Sequence, residues 1–264
     1  ALPQYVSTLT GDDALEEAAW KYMCWYYNQM DKIFVPSKAT GDECIENGMD
    51  ASKIVVYPRG IDVERFHPTK RNGFFANRYK EAEDRLKLLY VGRVSKEKDL
   101  PVLVEMFKQL ASERNDIALV VIGDGPYREE MEKELKGLPV TFTGTLKGDD
   151  LAQAYASSDI FIFPSTTDTF GNVVLEAQAS SVPVVVSNMG GPQENLIDGK
   201  TGYIVEAGNV AQFKDAVTRL ADNPELLAEM RTAAREYMDD RSYEAAFLKT
   251  WDIYRGSLDL DRVV

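Results

Sequence analysis

The stretch KLLYVGRVSKEKDLPVLVEMFKQLASERNDIALVVIGDGP, residues 87–126, decides the fold. It opens on a β-branched and leucine-rich run, KLLYVG (87–92), that ends in a charged loop. PVLVEMFKQLASE follows, with Val102, Leu103, Met106, Phe107 and Leu110 at the spacing of one half-buried helical face. IALVVIG (117–123) is a second, continuously apolar run. Strand, helix and strand in this order form the unit of a parallel sheet, and strands apolar at every residue have both faces covered by helices. The same alternation continues through VTFTG (140–144), IFIFP (160–164), PVVVS (183–187) and GYIVE (202–206), with helices expected over 126–136, 149–157, 171–180 and 209–221. The expected fold class is α/β, a doubly wound, Rossmann-like parallel sheet.

Upstream the chain differs in kind. Residues 1–52 hold an aromatic-rich helix (Trp20, Tyr22, Trp25, Tyr26, Tyr27), one short strand, KIFVPS, and another helix. One strand cannot make its own sheet. The segment therefore reads as the remnant of a preceding domain, joined through KIVVYPRGID (53–62) to a main domain over 53–240. Residues 224–256 read as helical, with 241–264 set apart as a C-terminal helix returning toward the preceding domain. Trp251 and Tyr254 on its apolar stripe are expected to be packing anchors. The opening ALPQYV lacks a Met, a basic flank and an apolar core, so it reads as an internal cut and the chain as a fragment.

Composition narrows the function. With 44% hydrophobic and 28% charged residues over 264 positions, the chain has the makings of an ordinary buried core. Its longest apolar runs fall well short of the roughly 20 residues a membrane-spanning helix requires. A net charge of -13, from 43 acids against 30 bases, argues against nucleic acid and against unaided attraction to anionic lipid. Cys24 and Cys44 have neither CxxC spacing nor a companion His, so no zinc site or disulfide framework is expected, and a reducing cytoplasm is the simplest location.

In open parallel sheets ligands sit at the carboxyl ends of the strands, so the residues there are the first candidates. KLLYVG runs into RVSKEK, which puts Arg93 and Lys98 where two cations can converge on an anion. IALVVIG runs into DGP, where Gly123, Gly125 and Pro126 make a tight turn but no dinucleotide fingerprint, since the next glycine position, 128, is Arg. VTFTG ends in a further glycine turn suited to reading a flat base edge. The strongest end is PSTTDTFGNVVLEA, residues 164–177. Asp168 precedes the expected helix start, and Phe170, Gly171, Asn172 and Val173 form its first turn. Free N–H groups at such a terminus attract anions, and Gly171 removes the side chain that would block a diphosphate. Glu176, eight residues after Asp168, can bond a different part of one elongated ligand. The only histidine, His67, stands in FHP beside the interdomain connection and is expected to serve linker packing.

GRVSKEK, VIGDGP, FTG, PSTTDTFGNVVLEA and SNMGGPQENLIDGKTGYIV, in that order and spacing, closely resemble the carboxyl-terminal domain of glycosyltransferase family 4, retaining nucleotide-sugar transferases of the GT-B fold. The likeness covers most of 53–256, and residues 1–52 resemble the end of the family's amino-terminal, acceptor-binding domain. It implies that Arg93 and Lys98 neutralise the donor diphosphate and that Glu176 binds the ribose hydroxyls. Asp168 opens the family's E-x7-E motif and contacts the sugar, with Asp where Glu is usual. Thr169, Phe170, Gly171, Asn172 and Val173 form the backbone cradle, Thr143 and Gly144 hold the base, and Gly92, Gly123 and Gly125 complete the donor site. The implied partners are a nucleotide-diphosphate sugar and the missing amino-terminal domain, with no metal or cofactor and no protein nucleophile. A lipid or glycan acceptor is implied for the full-length enzyme, with peripheral association at the inner membrane face if it is a lipid. The fragment alone is expected to bind nucleotide diphosphate with little turnover. A non-catalytic nucleotide-binding module and another GT-B enzyme, such as a nucleotide-sugar epimerase, stay open as alternatives.

Overall fold

The computed structural model describes residues 11–257 apart from 77, 80, 81 and 83, so the opening ALPQYV and the end of the segment 241–264 lie outside the described residues. In chain order the elements are α1 (Asp13–Tyr27), β1 (Ile33–Val35), α2 (Lys38–Glu46), β2 (Ile54–Val56), β3 (Leu86–Val91), α3 (Leu100–Glu113), β4 (Ile117–Ile122), α4 (Arg128–Glu134) and β5 (Val140–Gly144). They continue with α5 (Gly148–Ala156), β6 (Ile160–Phe163), α6 (Asn172–Ala179), β7 (Val184–Ser187), β8 (Gly202–Val205), α7 (Val210–Ala221), α8 (Pro224–Glu236) and α9 (Tyr243–Ser257). The chain divides into two compact units, residues 61–242 and residues 1–60 with 243–264.

The larger unit is the expected α/β fold. Its six strands are all parallel in the order β5-β4-β3-β6-β7-β8. All six β4 side chains are buried, as are Leu100, Leu103, Val104, Met106, Phe107 and Leu110 along one face of α3. Each such Val, Leu or Ile contributes about 1.5–3 kcal/mol when fully withdrawn from water, which makes the sheet a stiff base for the loops above it. The chain leaves β3 toward β4 and β5, then returns to β6 on the other side of β3, so β3 and β6 flank the reversal of strand order. In open parallel sheets such a reversal is where a ligand crevice opens beyond the strand ends. At the opposite ends of the same strands, Asp159 takes the Lys87 N–H at 2.9 Å, Arg71 at 2.9 Å and Arg231 at 3.0 Å. This clamp pins β6 against β3 below the crevice.

The helical reading of 224–256 is interrupted. α8 ends at Glu236, residues 237–240 form turns, and Ile61 N–H reaches the Arg241 carbonyl at 3.1 Å.

The smaller unit holds a strand that sequence reasoning missed. β2 lies within the segment read as a connector and pairs in parallel with β1, Ile33 opposite Ile54. Trp20, Cys24, Ile33, Val35, Cys44 and Met49 form its buried cluster. The expectation of packing anchors fails for Trp251 and Tyr254, which are 47% and 45% exposed and stack in a row with Phe247. With Phe34, Tyr57 and Thr250 they line an apolar hollow of about 440 Å³. A two-stranded sheet with so few helices cannot cover a full aromatic stripe. Among the described residues no helix is long and apolar enough to cross a membrane.

Candidate functional site

The loops leaving β3 and β6 are laced together across the crevice. Asp99, in a left-handed conformation (φ 54°), accepts the Thr166 N–H at 3.0 Å and its hydroxyl at 2.6 Å. Thr167 donates to the Glu97 carbonyl at 3.2 Å. Lys98 Nζ donates to Asp168 Oδ2 at 2.8 Å, and the Ser165 hydroxyl donates to the same oxygen at 2.6 Å. Sequence spacing could not bring Lys98 and Asp168 together, because they are 70 residues apart; the strand order does. Both side chains are largely withdrawn from solvent, Lys98 15% and Asp168 26% exposed, so their attraction is screened less than at an open surface. Arg93 is more exposed and stands 3.7 Å from Glu97.

The helix that follows, α6, begins at Asn172 with Gly171 as its N-cap and no side chain satisfying its first N–H groups. That opening suits an anion. Gly171 takes φ 80°, and a Cβ there would also meet Pro192 Cγ at 2.9 Å. The glycine is thus demanded by the protein's own packing. Behind this turn lies a support that sequence reasoning left unassigned. Gly191 donates its N–H to the Asp168 carbonyl at 2.9 Å, and a Cβ on Gly191 would fall 2.0 Å from the Thr169 carbonyl oxygen. Buried Asn195 donates to the Phe170 carbonyl at 2.5 Å. The glycine pair in SNMGGP was the available signal. Within the cradle the Phe170 side chain is buried, Val173 packs partly buried on the core, and Asn172 is exposed.

On the other side of the crevice, a cavity of about 260 Å³ lies over the ends of β3 and β4, lined by Val91, Gly92, Arg93, Ile122, Gly123, Asp124, Thr145 and Leu146. Gly92 and Gly123 thus stand at its wall. Gly125 instead lies where the backbones cross, since a Cβ on it would come within 2.3 Å of the Val94 carbonyl oxygen. Thr143 and Gly144 are not among the lining residues. The register between β4 and β5 shifts at Val121/Ile122, with Phe142 opposite Val121 and Gly144 opposite Ile122, so Thr143 is the extra residue of a bulge. Its hydroxyl turns to the Gly144 carbonyl at 2.9 Å, and Thr145 and Leu146 carry the chain to the cavity. A shift of register leaves no trace in alternation, so the sequence points to Thr143 and Gly144 where the cavity wall is formed by Thr145 and Leu146.

Glu176 projects from the middle of α6 and is mostly buried. The Tyr155 hydroxyl donates to its Oε2 at 2.9 Å, and no cation pairs with it among the described residues. Burial pushes its carboxyl above the ordinary Glu range, and the Tyr155 hydrogen bond offsets only part of that. A carboxyl with a raised folded-state pKa adds stability below its unfolded value and loses that contribution as pH rises through the folded one. Glu176→Gln is therefore expected to raise Tm at pH 7, with the gain shrinking toward pH 4; thermal melts at both pH values check it, and an equal gain at both would refute the cause. Tyr155 is wholly buried, and its own hydroxyl is held well above the usual Tyr range by burial and by Glu176.

His67 has the modest place expected of it. Its Nδ1 accepts the Thr69 N–H at 3.2 Å and caps a short turn. Cys24 and Cys44 are buried and free. Among the described residues no group of three or more His, Cys, Asp or Glu stands together as a metal site would require.

Comparison with known proteins identifies the family. Residues 73–237 match the family described as glycosyl transferases group 1, and residues 6–65 match the one described as Glycosyltransferase Family 4. The sulfoquinovosyl transferase SQD2 of Arabidopsis thaliana is 36% identical over 242 residues, which cover 89% of this chain and 46% of that protein. A GDP-mannose-dependent alpha-mannosyltransferase of Corynebacterium glutamicum is 32% identical over 234 residues, covering 88% of this chain and 54% of the relative. The chain thus spans about half the length of these relatives. Among solved structures, Anabaena Alr3699/HepE in complex with UDP superposes with a TM-score of 0.81 at 19% identity, over 91% of this chain and 68% of the other, a likeness of fold. The match over residues 73–237 covers more than half of the chain, and the chain belongs to the glycosyl transferases group 1, within the family 4 glycosyltransferases.

Proposed function

We propose that this chain is the donor-binding part of a retaining glycosyltransferase that moves a hexosyl group from a UDP- or GDP-linked sugar to an acceptor, a lipid or a glycan. One observation carries the reading: Lys98 and Asp168, from the loops after β3 and β6, meet 2.8 Å apart beside an uncapped helix N-terminus at the reversal of strand order. The diphosphate of the donor lies along that opening, with the first N–H groups of α6 on one side and Arg93 and Lys98 on the other. Asp168 Oδ2 is held by Lys98 and Ser165, so Oδ1 faces the sugar hydroxyls. The base enters the cavity lined by Thr145 and Leu146, and Glu176 receives the ribose. When the bond from the sugar carbon to the diphosphate breaks, negative charge grows on the leaving oxygen, where fixed cations and N–H groups stabilise it most. The acceptor hydroxyl bonds to the same face of the sugar, and its proton passes to the leaving phosphate. The two cations meet the charge demand, so the reading includes neither metal nor cofactor.

That HepE was crystallised with UDP and that the Corynebacterium relative depends on GDP-mannose both support a nucleotide-sugar donor. Calorimetric titration with UDP and with GDP is expected to give saturable heat for at least one of them. Silence with both, on a folded sample, would favour a module without a donor. A donor screen on the full-length protein with mass detection of product identifies sugar and acceptor.

A further inference from the structure

We propose that Tyr155 is a positioning residue of the donor site, its hydroxyl fixing the Glu176 carboxylate in the orientation that receives the ribose hydroxyls of the nucleotide. This rests on the donor-site reading above. Tyr155 lies on α5 and touches no part of the crevice lining described; its effect passes through Glu176. Its ring is locked from two sides, perpendicular to Phe66 at 5.5 Å and tilted on Phe161 at 6.0 Å, and it has no exposed surface. A ring held so firmly delivers its hydroxyl to one place. That place is 2.9 Å from Glu176 Oε2.

Glu176 needs such a partner. A long side chain on a helix has several staggered rotamers open to it, and a mostly buried carboxylate without a cation is costly to keep. Tyr155 supplies its only side-chain hydrogen bond among the described residues. A glutamine would fill the same space without a buried charge, so a purely structural role gives no reason for an acid here. A role toward two vicinal hydroxyls does, because a carboxylate accepts from both at once. The same aromatic layer repeats the device at its other end. Tyr155, Phe161, Phe163 and Tyr90 follow one another at 6.0, 5.8 and 6.1 Å, and the Tyr90 hydroxyl donates to the Arg93 carbonyl at 2.9 Å. Two core tyrosines thus each fasten one arm of the site.

The test compares the nucleoside diphosphate that the wild type binds, UDP or GDP, with its 2',3'-dideoxy analogue by calorimetry. Tyr155→Phe is expected to weaken the ribonucleotide roughly tenfold, the scale of a hydrogen bond to a charged group, and to leave the dideoxy analogue unchanged. Glu176→Gln should abolish the ribose preference, and adding Tyr155→Phe to it should change nothing further. Replacing Tyr155 by 4-aminophenylalanine, which keeps a donor at the ring's far end, should restore the preference and also serves if the Phe variant folds poorly. If Glu176→Gln removes the preference while Tyr155→Phe keeps it, or if the amino analogue does not restore it, Tyr155 has no positioning role. If Glu176→Gln itself keeps the preference, the assignment of Glu176 to the ribose fails first, and the inference with it.

Discussion

Replacing Lys98 by Met is expected to cut donor turnover by the full-length enzyme about a hundred- to a thousandfold, the range seen when one fixed donor to a developing negative charge is removed. The substitution keeps an unbranched side chain of nearly the same length and takes away the charge, so the loss appears mainly in kcat. Binding of the unphosphorylated nucleoside should be unaffected, since it does not reach the cation. A second effect accompanies the first. Lys98 and Asp168 are largely sheltered and paired at 2.8 Å, so the Lys98→Met substitution would leave Asp168 with Ser165 alone, and folding stability should fall by about 1–3 kcal/mol. Steady-state kinetics and urea unfolding of one variant read both quantities. A variant with unchanged kcat would remove Lys98 from the leaving-group site, whatever its stability.

Gly123→Ala is expected to be among the most damaging single added methyl groups. A Cβ there would lie 1.9 Å from the Gly92 carbonyl oxygen, at φ 137°. Backbone cannot swing aside as a side-chain tip can, and strain of about 1–3 kcal/mol adds to an overpacking cost of similar size. The total, about 3–5 kcal/mol, corresponds to a fall in Tm on the order of 10 °C. Gly137→Ala is the control. It also has positive φ, 86°, but meets nothing within 4 Å, so its loss should stay near 1 kcal/mol. Equal losses for the two would mean that backbone conformation, not the approach of the β3 and β4 loops, sets the cost.

The sheet was legible because its strands are apolar at every position and its helices keep one periodic face, and both patterns follow from burial. Arg93, Lys98, Asp168, Gly171 and Glu176 could be named as candidates because they follow strands whose carboxyl ends could be located. The residues passed over act across long separations. Asn195 reaches Phe170, Asp99 reaches Thr166, and Tyr155 reaches Glu176; nothing local marks any of them. Thr143 sits at a bulge that alternation does not reveal, and the cavity wall beyond it is formed by Thr145 and Leu146. Trp251 misled for another reason, since periodicity reports an apolar face and says nothing of what meets it.

The loops beyond β3, β4 and β5 are joined by main-chain groups: Gly92 to Ile122 at 3.0 Å, Val94 to Asp124 at 3.0 Å, Gly123 to Gly144 at 2.9 Å and Tyr127 to Val94 at 3.0 Å. Peptide groups are common to every sequence, so this rim keeps its form whichever side chains it carries, provided the glycines at the crossings stay. Thr145 and Leu146 can then be exchanged like interchangeable fittings on a fixed frame. With the base in that cavity, as proposed, a change of nucleotide would need to alter only such fittings, leaving the architecture beneath them as it was.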